Sequence, residues 1–300
     1  MTEMLLGVNN CFAVKRWASP DAWLRVIRED LDLSHCQFSL DLLPPGFDLP
    51  FALRYAEHVR TVAEQWEVTI HSTFTGLGAY GASLLMADER EDREQAERWY
   101  RGVIDLTAAM GATMTGGHIG AATVPAWQNA GERRERRRQM IDAMHRLAEY
   151  ADERGLVGLT FENLAVEREY GHTIEEAQQL EEALAGTAVP WVLCLDLGHP
   201  AALTTGTGSD DPTNWLRSAW RHQPLLQLQQ SPRGADLHGP FTASTNAEGI
   251  VQREPVLTAL DQAEWQSPVH AFLEVIPAHE ADDQVVLADL VHSVRYWRGA

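Results

Sequence analysis

Short apolar runs alternate with longer amphipathic ones along this 300-residue chain, eight times in all. The runs that read as strands are LLGVN (5–9), HCQFSLDL (35–42), VTIHS (68–72), TMTGGH (113–118), GLTFEN (158–163), WVLCLDL (191–197), LLQLQQ (225–230) and HAFLEV (270–275). Runs this short, rich in branched and aromatic residues, suit buried strands better than helices. The helical patterns between them carry recognisable ends. Ser19 precedes Pro20 and Asp21, a helix-start signature. Gly111 and Gly155 stand where C-terminal glycines end helices.

Repeated strand–helix units fold either as an open doubly wound sheet or as a closed barrel. Eight units in a chain of this length favour an α/β fold, the (β/α)8 TIM barrel. The Gly-rich nucleotide fingerprint of an open dinucleotide-binding sheet is missing after the first strand. No Ser/Pro-rich linker or composition break divides the chain, so residues 1–300 are expected to form a single domain.

Charge and cysteine usage narrow the function. A formal net charge of −19 opposes general nucleic-acid binding, which depends on clustered Lys and Arg. The one basic run, GERRERRRQ (131–139), suits a solvated helix face with Glu–Arg pairing. Cys11, Cys36 and Cys194 are far apart in apolar contexts, which fits buried thiols rather than disulfides or a zinc cluster. No segment reaches the roughly 18 unbroken apolar residues of a membrane helix. The start lacks the pattern of an export signal, so a cytoplasmic protein is expected.

In a barrel strand, alternate residues face the helices and the interior. Leu226 and Leu228 oppose Gln227 and Gln229; Leu193 and Leu195 oppose Cys194 and Asp196. Val68 and Ile70 oppose Thr69 and His71, while Thr160 shares a side with Glu162. Each strand thus sends a polar group inward near its carboxyl end, where barrel enzymes keep their active sites. Glu162, Asp196 and Glu274 all close inward-facing positions on that rim. A single strand-end carboxylate is more often a cap or loop acceptor. Three at matching depth need shared protons, a basic side chain or a divalent metal between them. Oxygen-rich ligation suits Mn²⁺ or Mg²⁺. His71, His118 and His199, each alone an ordinary barrel histidine, together read as the wall of a polar pocket.

GLTFEN, CLDLGH, LLQLQQSPRG and FLEV resemble the metal-binding strands of the xylose isomerase-like sugar isomerase and epimerase superfamily. The resemblance implies metal ligands at Glu162, Asp196 and Glu274, with Gln227 where ketose epimerases carry a His. A glutamine oxygen is a weaker, neutral ligand for a hard cation. His199 and Arg233 match residues that touch substrate. GVNNCFAVKRW, IHSTFTGLGAY, TGGHIGA and FLEVIPAHEADDQVVLADLVHSVRYWRG are similar to a bacterial sugar phosphate isomerase/epimerase branch that includes erythrulose 1-phosphate 3-epimerases.

The implied activity is epimerisation at C3 of a short ketose phosphate, with Glu162 and Glu274 as bases on opposite faces of a cis-enediolate. The implied cofactor is a divalent ion, Mn²⁺ foremost, with Mg²⁺ or Co²⁺ as alternatives. Lys15 and Arg16, with Arg233 and His238 as helpers, are the candidates for a phosphate; a solvated loop pair is the equal alternative for the first two. Phe74, Tyr80 and Trp17 are expected to cap the pocket, and residues 231–249 to form a lid. A dimer or tetramer is expected because relatives associate.

Three readings compete. One keeps the metal but takes free or 3-oxo sugars, including carbon–glycoside cleavage with a companion subunit. A metal-dependent abasic-site nuclease would need more His and Asp ligands and a basic face. A non-catalytic sugar-binding barrel would explain Gln227, but has no need for two bases.

Overall fold

A computed structural model describes residues 3–43, 48–263, 265–266 and 268–299. Eight parallel strands close into a barrel in chain order: β1 (Met4–Asn9), β2 (His35–Ser39), β3 (Thr69–Phe74), β4 (Met114–Gly117), β5 (Gly158–Glu162), β6 (Trp191–Asp196), β7 (Leu225–Leu228) and β8 (Val269–Leu273). Each coincides with an expected strand, with ends shifted by a few residues. The last part of HCQFSLDL is instead a 3-10 turn, Leu40–Leu42. The seam is sealed by β8 pairing β1 from Met4↔Val269 to Val8↔Leu273.

The helices are α1 (Pro20–Arg25), α2 (Leu49–Gln65), α3 (Gly76–Tyr80), α4 (Arg90–Met110), α5 (Val124–Gln128), α6 (Ala130–Glu153), α7 (Ile174–Ala183), α8 (Pro212–Arg217), α9 (Ala243–Glu248), α10 (Arg253–Gln262) and α11 (Asp283–Arg298). Gly111 ends α4 in the left-handed region at φ 79°, and Gly155 follows α6 at φ 77°. Both are sites where a Cβ would be strained. Ser19 precedes α1 in extended conformation but makes no side-chain cap bond.

The outward strand positions build the core. Leu193, Leu195, Leu226 and Leu228 are fully buried in one cluster with Trp23 and Trp215. Inside the barrel a small apolar plug, Phe74, Cys194, Leu225 and Phe272, fills the middle. The fold therefore places apolar side chains below and polar ones above, at the carboxyl ends of the strands. Gly116 permits the closest strand approach: a Cβ there would lie 1.9 Å from the Thr160 carbonyl oxygen.

A bulge distinguishes β3. Its register with β2 jumps from Cys36↔Ile70 to Gln37↔Ser72, leaving His71 as the extra residue. The strand then runs on to Phe74, so His71 lies below the rim.

Residues 231–249 cross the end of β7 and are fastened to the barrel. Gln230 and Gly239 exchange backbone bonds of 2.9 Å, and Pro232 bridges Gly249. Phe241 is buried against the α11 aromatics, its ring centroid 5.4 Å from Tyr296 and 5.1 Å from Trp297. Its backbone N–H donates to Ser293 Oγ at 2.8 Å.

Candidate active site

Above the plug, the barrel holds a layer of amides. Asn9 Nδ2 donates to Gln37 Oε1 at 2.9 Å and to Glu274 Oε1 at 3.1 Å. Gln227 Nε2 donates to the same Gln37 oxygen at 2.9 Å, and Gln227 Oε1 accepts from Cys194 Sγ at 3.2 Å. Both ends of the Gln227 amide are thus engaged within this layer. Gln227 points inward, as its parity predicts, and its oxygen faces the Cys194 thiol.

Glu162, Asp196 and Glu274 converge above the amides. One carboxylate oxygen from each lies within 4.8 Å of the others, and all three residues are buried to 2% exposure or less. Asn163 clamps Asp196 by its backbone: Asn163 Oδ1 accepts from the Asp196 N–H at 2.8 Å, and Nδ2 donates to its carbonyl at 3.0 Å. Asp196 Oδ1 accepts from the Gly198 and His199 N–H groups at 2.6 and 3.2 Å. Its Oδ2, Glu162 Oε2 and Glu274 Oε2 are buried without a hydrogen-bond partner. Three orphaned carboxylate oxygens in one place fit a divalent cation, since buried charges otherwise demand partners.

Histidines surround the cluster. His118 Nδ1 stands 3.3 Å from Glu162 Oε2, without hydrogen-bond alignment. Burial, with His199 and His238 nearby, pushes His118 down to about 3, so it is neutral. His199 Nδ1 lies 2.7 Å from the Asn163 carbonyl, as donor, and Nε2 lies 3.5 Å from Asp236 Oδ2. His238 Nε2 lies 3.4 Å from Asp236 Oδ1, and its Nδ1 lies 3.7 Å from Glu274 Oε2. Burial opposes the charged form of His238, but the Asp236 bond and the charges of Glu274 and Asp196 raise it to about 10. Burial likewise opposes the charge on Asp236, yet the His238 bond and both imidazoles hold it well below the carboxylate range.

The two glutamates are the reverse case. Burial, then Glu274 and Asp196, push Glu162 well above the ordinary range; burial, then Asp196 and Asp236 against the opposing His238, do the same for Glu274. Like charges this close ionise together only with a cation between them, and without one they share a proton.

A cavity of about 200 Å³ opens over these groups, lined by Glu162, Glu274, His118, His199, Asp236 and His238, with Phe74 and Tyr80 on its wall. The Tyr80 ring lies tilted against that of His118, centroids 4.8 Å apart. Trp17 packs on Phe12 and does not line it. A second cavity, about 170 Å³, shares Cys11, Asp41, Leu77 and Ile276 with the first and includes Arg16 and His279. Among the described residues, a larger space of about 840 Å³ beside α4 touches none of the carboxylates; chemistry, not size, marks the smaller one.

The remaining sequence candidates lie elsewhere. His71 sits at the amino-terminal mouth, its ring 4.3 Å from His270 and 5.4 Å from Phe272, because the bulge displaced it from the rim. Lys15 is exposed. Arg16 is held by Asp283 at 3.0 Å and the Ala278 carbonyl at 2.6 Å. Arg233 is exposed and reaches only the Asp210 carbonyl, at 3.4 Å. Sequence reasoning missed Asp236 and the amides Asn9, Gln37 and Asn163. The alternation Asp236-Leu237-His238 inside a long connection was the available signal for the first.

Comparison with known proteins agrees with this architecture. The chain is 25% identical over 297 residues to D-erythrulose 1-phosphate 3-epimerase of Brucella abortus (strain 2308), covering 98% of this chain and 95% of that one. A crystal structure from Rhodospirillum rubrum, provisionally assigned as a xylose isomerase, superposes with a TM-score of 0.91 at 30% identity over 99% of both chains. D-psicose 3-epimerase of Clostridium cellulolyticum H10 shares the fold at TM-score 0.71 and 11% identity, over 100% of this chain and 99% of that one. Its homologues are sugar isomerases and epimerases, and no described helix is long and apolar enough to cross a membrane. With residues 36–287 matching the family as a whole, the chain belongs to the xylose isomerase-like TIM barrel family.

Proposed function

We propose that the protein is a divalent-metal-dependent C3 epimerase of a short ketose, with erythrulose 1-phosphate as the first substrate to test. One observation carries the reading: two buried glutamates, each with a carboxylate oxygen that has no hydrogen-bond partner, reach one cavity from the ends of β5 and β8. Such a pair can supply one proton acceptor and one proton donor.

Glu162, Asp196 and Glu274 would hold the ion, and Mn²⁺ suits oxygen-rich ligation. Bound there, a divalent ion makes the hydrogen beside a ketose carbonyl more acidic. The ionised glutamate takes the C3 proton, and its electron pair moves toward the C2 oxygen to give an enediolate. The protonated glutamate returns a proton to the other face, restoring the carbonyl with C3 inverted. A single base would return the proton to the face it came from. His118, neutral, stands beside Glu162 on the cavity wall.

The wall residues common to the two cavities support a phosphorylated substrate, because Arg16 and His279 line the second one. The positions of Lys15 and Arg233 outside the first cavity favour instead a free ketose as second reading. Incubation of the Mn²⁺-loaded protein in D₂O with erythrulose 1-phosphate, erythrulose or fructose separates them. Deuterium at C3 of the phosphate alone supports the first reading, exchange in a free ketose the second. No exchange in any, with chelator without effect, rejects the epimerase.

A further inference from the structure

We propose that His238, on the connection after β7, takes the place of the strand residue Gln227 and completes the cation site with Glu162, Asp196 and Glu274. The inference rests on the metal-dependent reading above, and deepens it by naming a ligand set of one imidazole nitrogen and three carboxylates.

Two observations carry it. Gln227 is committed elsewhere: its nitrogen donates to Gln37 and its oxygen accepts from Cys194. Turning that oxygen upward would take the acceptor from the buried Cys194 thiol, at about 1–3 kcal/mol for an unsatisfied buried group, while the Gln37 oxygen would keep Asn9 as donor. His238 is the opposite case. Its Nδ1 is buried with no hydrogen-bond partner and lies 3.7 Å from Glu274 Oε2, itself orphaned. One nitrogen of His238 also falls within 4.8 Å of an Asp196 oxygen.

The other ring nitrogen explains the orientation. Nε2 faces Asp236 at 3.4 Å, and Asp236 is in turn held by Gln229 Nε2 at 2.9 Å. Carboxylate, imidazole and cation in a row is how ligating histidines are normally fixed, with the distal N–H given to an acceptor and the lone pair turned to the ion. The backbone agrees: the His238 carbonyl accepts from the Ile276 N–H at 3.0 Å, which ties the loop to the segment just past Glu274.

His199 is the competitor, since its nitrogen is also near Asp196. Its Nδ1–H is likewise given to an acceptor, the Asn163 carbonyl, so the choice rests on Nε2, which lies nearer Asp236 Oδ2, at 3.5 Å, than Asp196 Oδ2, at 3.9 Å. His199 is accordingly assigned to substrate oxygens, and the His199→Gln variant below decides between the two.

The test uses the full chain stripped with chelator and titrated with Mn²⁺ alone, read by pulsed EPR for nitrogen coupled to the ion, with affinity from free Mn²⁺. The expected result is one imidazole coupling that changes when histidine is labelled with ¹⁵N. His238→Gln should lose it and bind Mn²⁺ at least about 10–100-fold more weakly. Gln227→Met and His199→Gln should keep it. Coupling that survives His238→Gln, or vanishes only in His199→Gln, overturns the assignment while leaving the metal site standing. Histidine labelling without effect in the wild-type chain overturns it as well, and does so without requiring any variant to fold. Wild-type protein that binds no Mn²⁺ overturns both this inference and the metal-dependent reading beneath it.

Discussion

Asn163 holds Asp196 at both its backbone N–H and its carbonyl, with bonds of 2.8 and 3.0 Å. The same residue's own carbonyl receives His199 Nδ1 at 2.7 Å. One amide after β5 therefore sets the height of a carboxylate on β6 and the tautomer of a histidine beyond it.

Asn163→Ala removes both side-chain bonds. The expected cost is about 2–4 kcal/mol, since both freed groups are buried. Chemical denaturation measures it. Mn²⁺ affinity should fall as well, because Asp196 loses its fixed position.

The two-base scheme predicts an asymmetry between Glu162→Gln and Glu274→Gln. Each should lower epimerisation by about 10²–10⁴-fold. With one C3 epimer in D₂O, one variant should retain exchange without inversion; with the other epimer, the other variant should. Metal content measured alongside separates a lost base from a lost ligand. Wild-type interconversion by either variant would end the scheme.

Phe241 anchors the segment that carries Asp236 and His238. It is 1% exposed and packed between Tyr296 and Trp297. Phe241→Ala should cost about 3–5 kcal/mol, the usual price of an aromatic cavity. Calorimetry should show the loss. Mn²⁺ affinity should fall more in this variant than in Leu24→Ala, a core truncation on α1.

The histidines at the amino-terminal mouth predict acid lability. Burial first, then His270 and His35, lower His71 to about 4. The unfolded chain binds a proton there from pH 6.5 downward, whereas the native ring stays neutral until about pH 4. Stability should therefore fall across that window, by on the order of 2–3 kcal/mol from this group, and level off below it. His71→Asn should flatten that part of the denaturation profile; an unchanged slope would show that other groups set it.

How far the sequence could be read depended on what each signal encodes. Strand period and helix caps are local, and so all eight strands and the C-terminal glycines at 111 and 155 could be read directly. Glu162, Asp196 and Glu274 were legible because a carboxylate ending an apolar run is anomalous without partners. His71 was misplaced because alternation says which face a residue takes, not its depth, and a bulge has no period to reveal it. The bonds that Gln227 makes to Gln37 and Cys194 were not legible, because they depend on neighbours 190 and 33 residues away. Asp236 lies on a connection, where the alternation Asp236-Leu237-His238 puts the two polar residues on one side but does not say which side meets the barrel.

The bond from Asn9 to Glu274 joins residues 265 positions apart across the seam of the barrel. Synthesis delivers the first strand early and the eighth late, so Asn9 waits through most of translation for its carboxylate. Until β8 docks, Glu162 and Asp196 have no third carboxylate beside them, and the cation site proposed above is incomplete. Cation capture should accordingly be a late event in folding, stabilising the finished barrel rather than guiding its assembly.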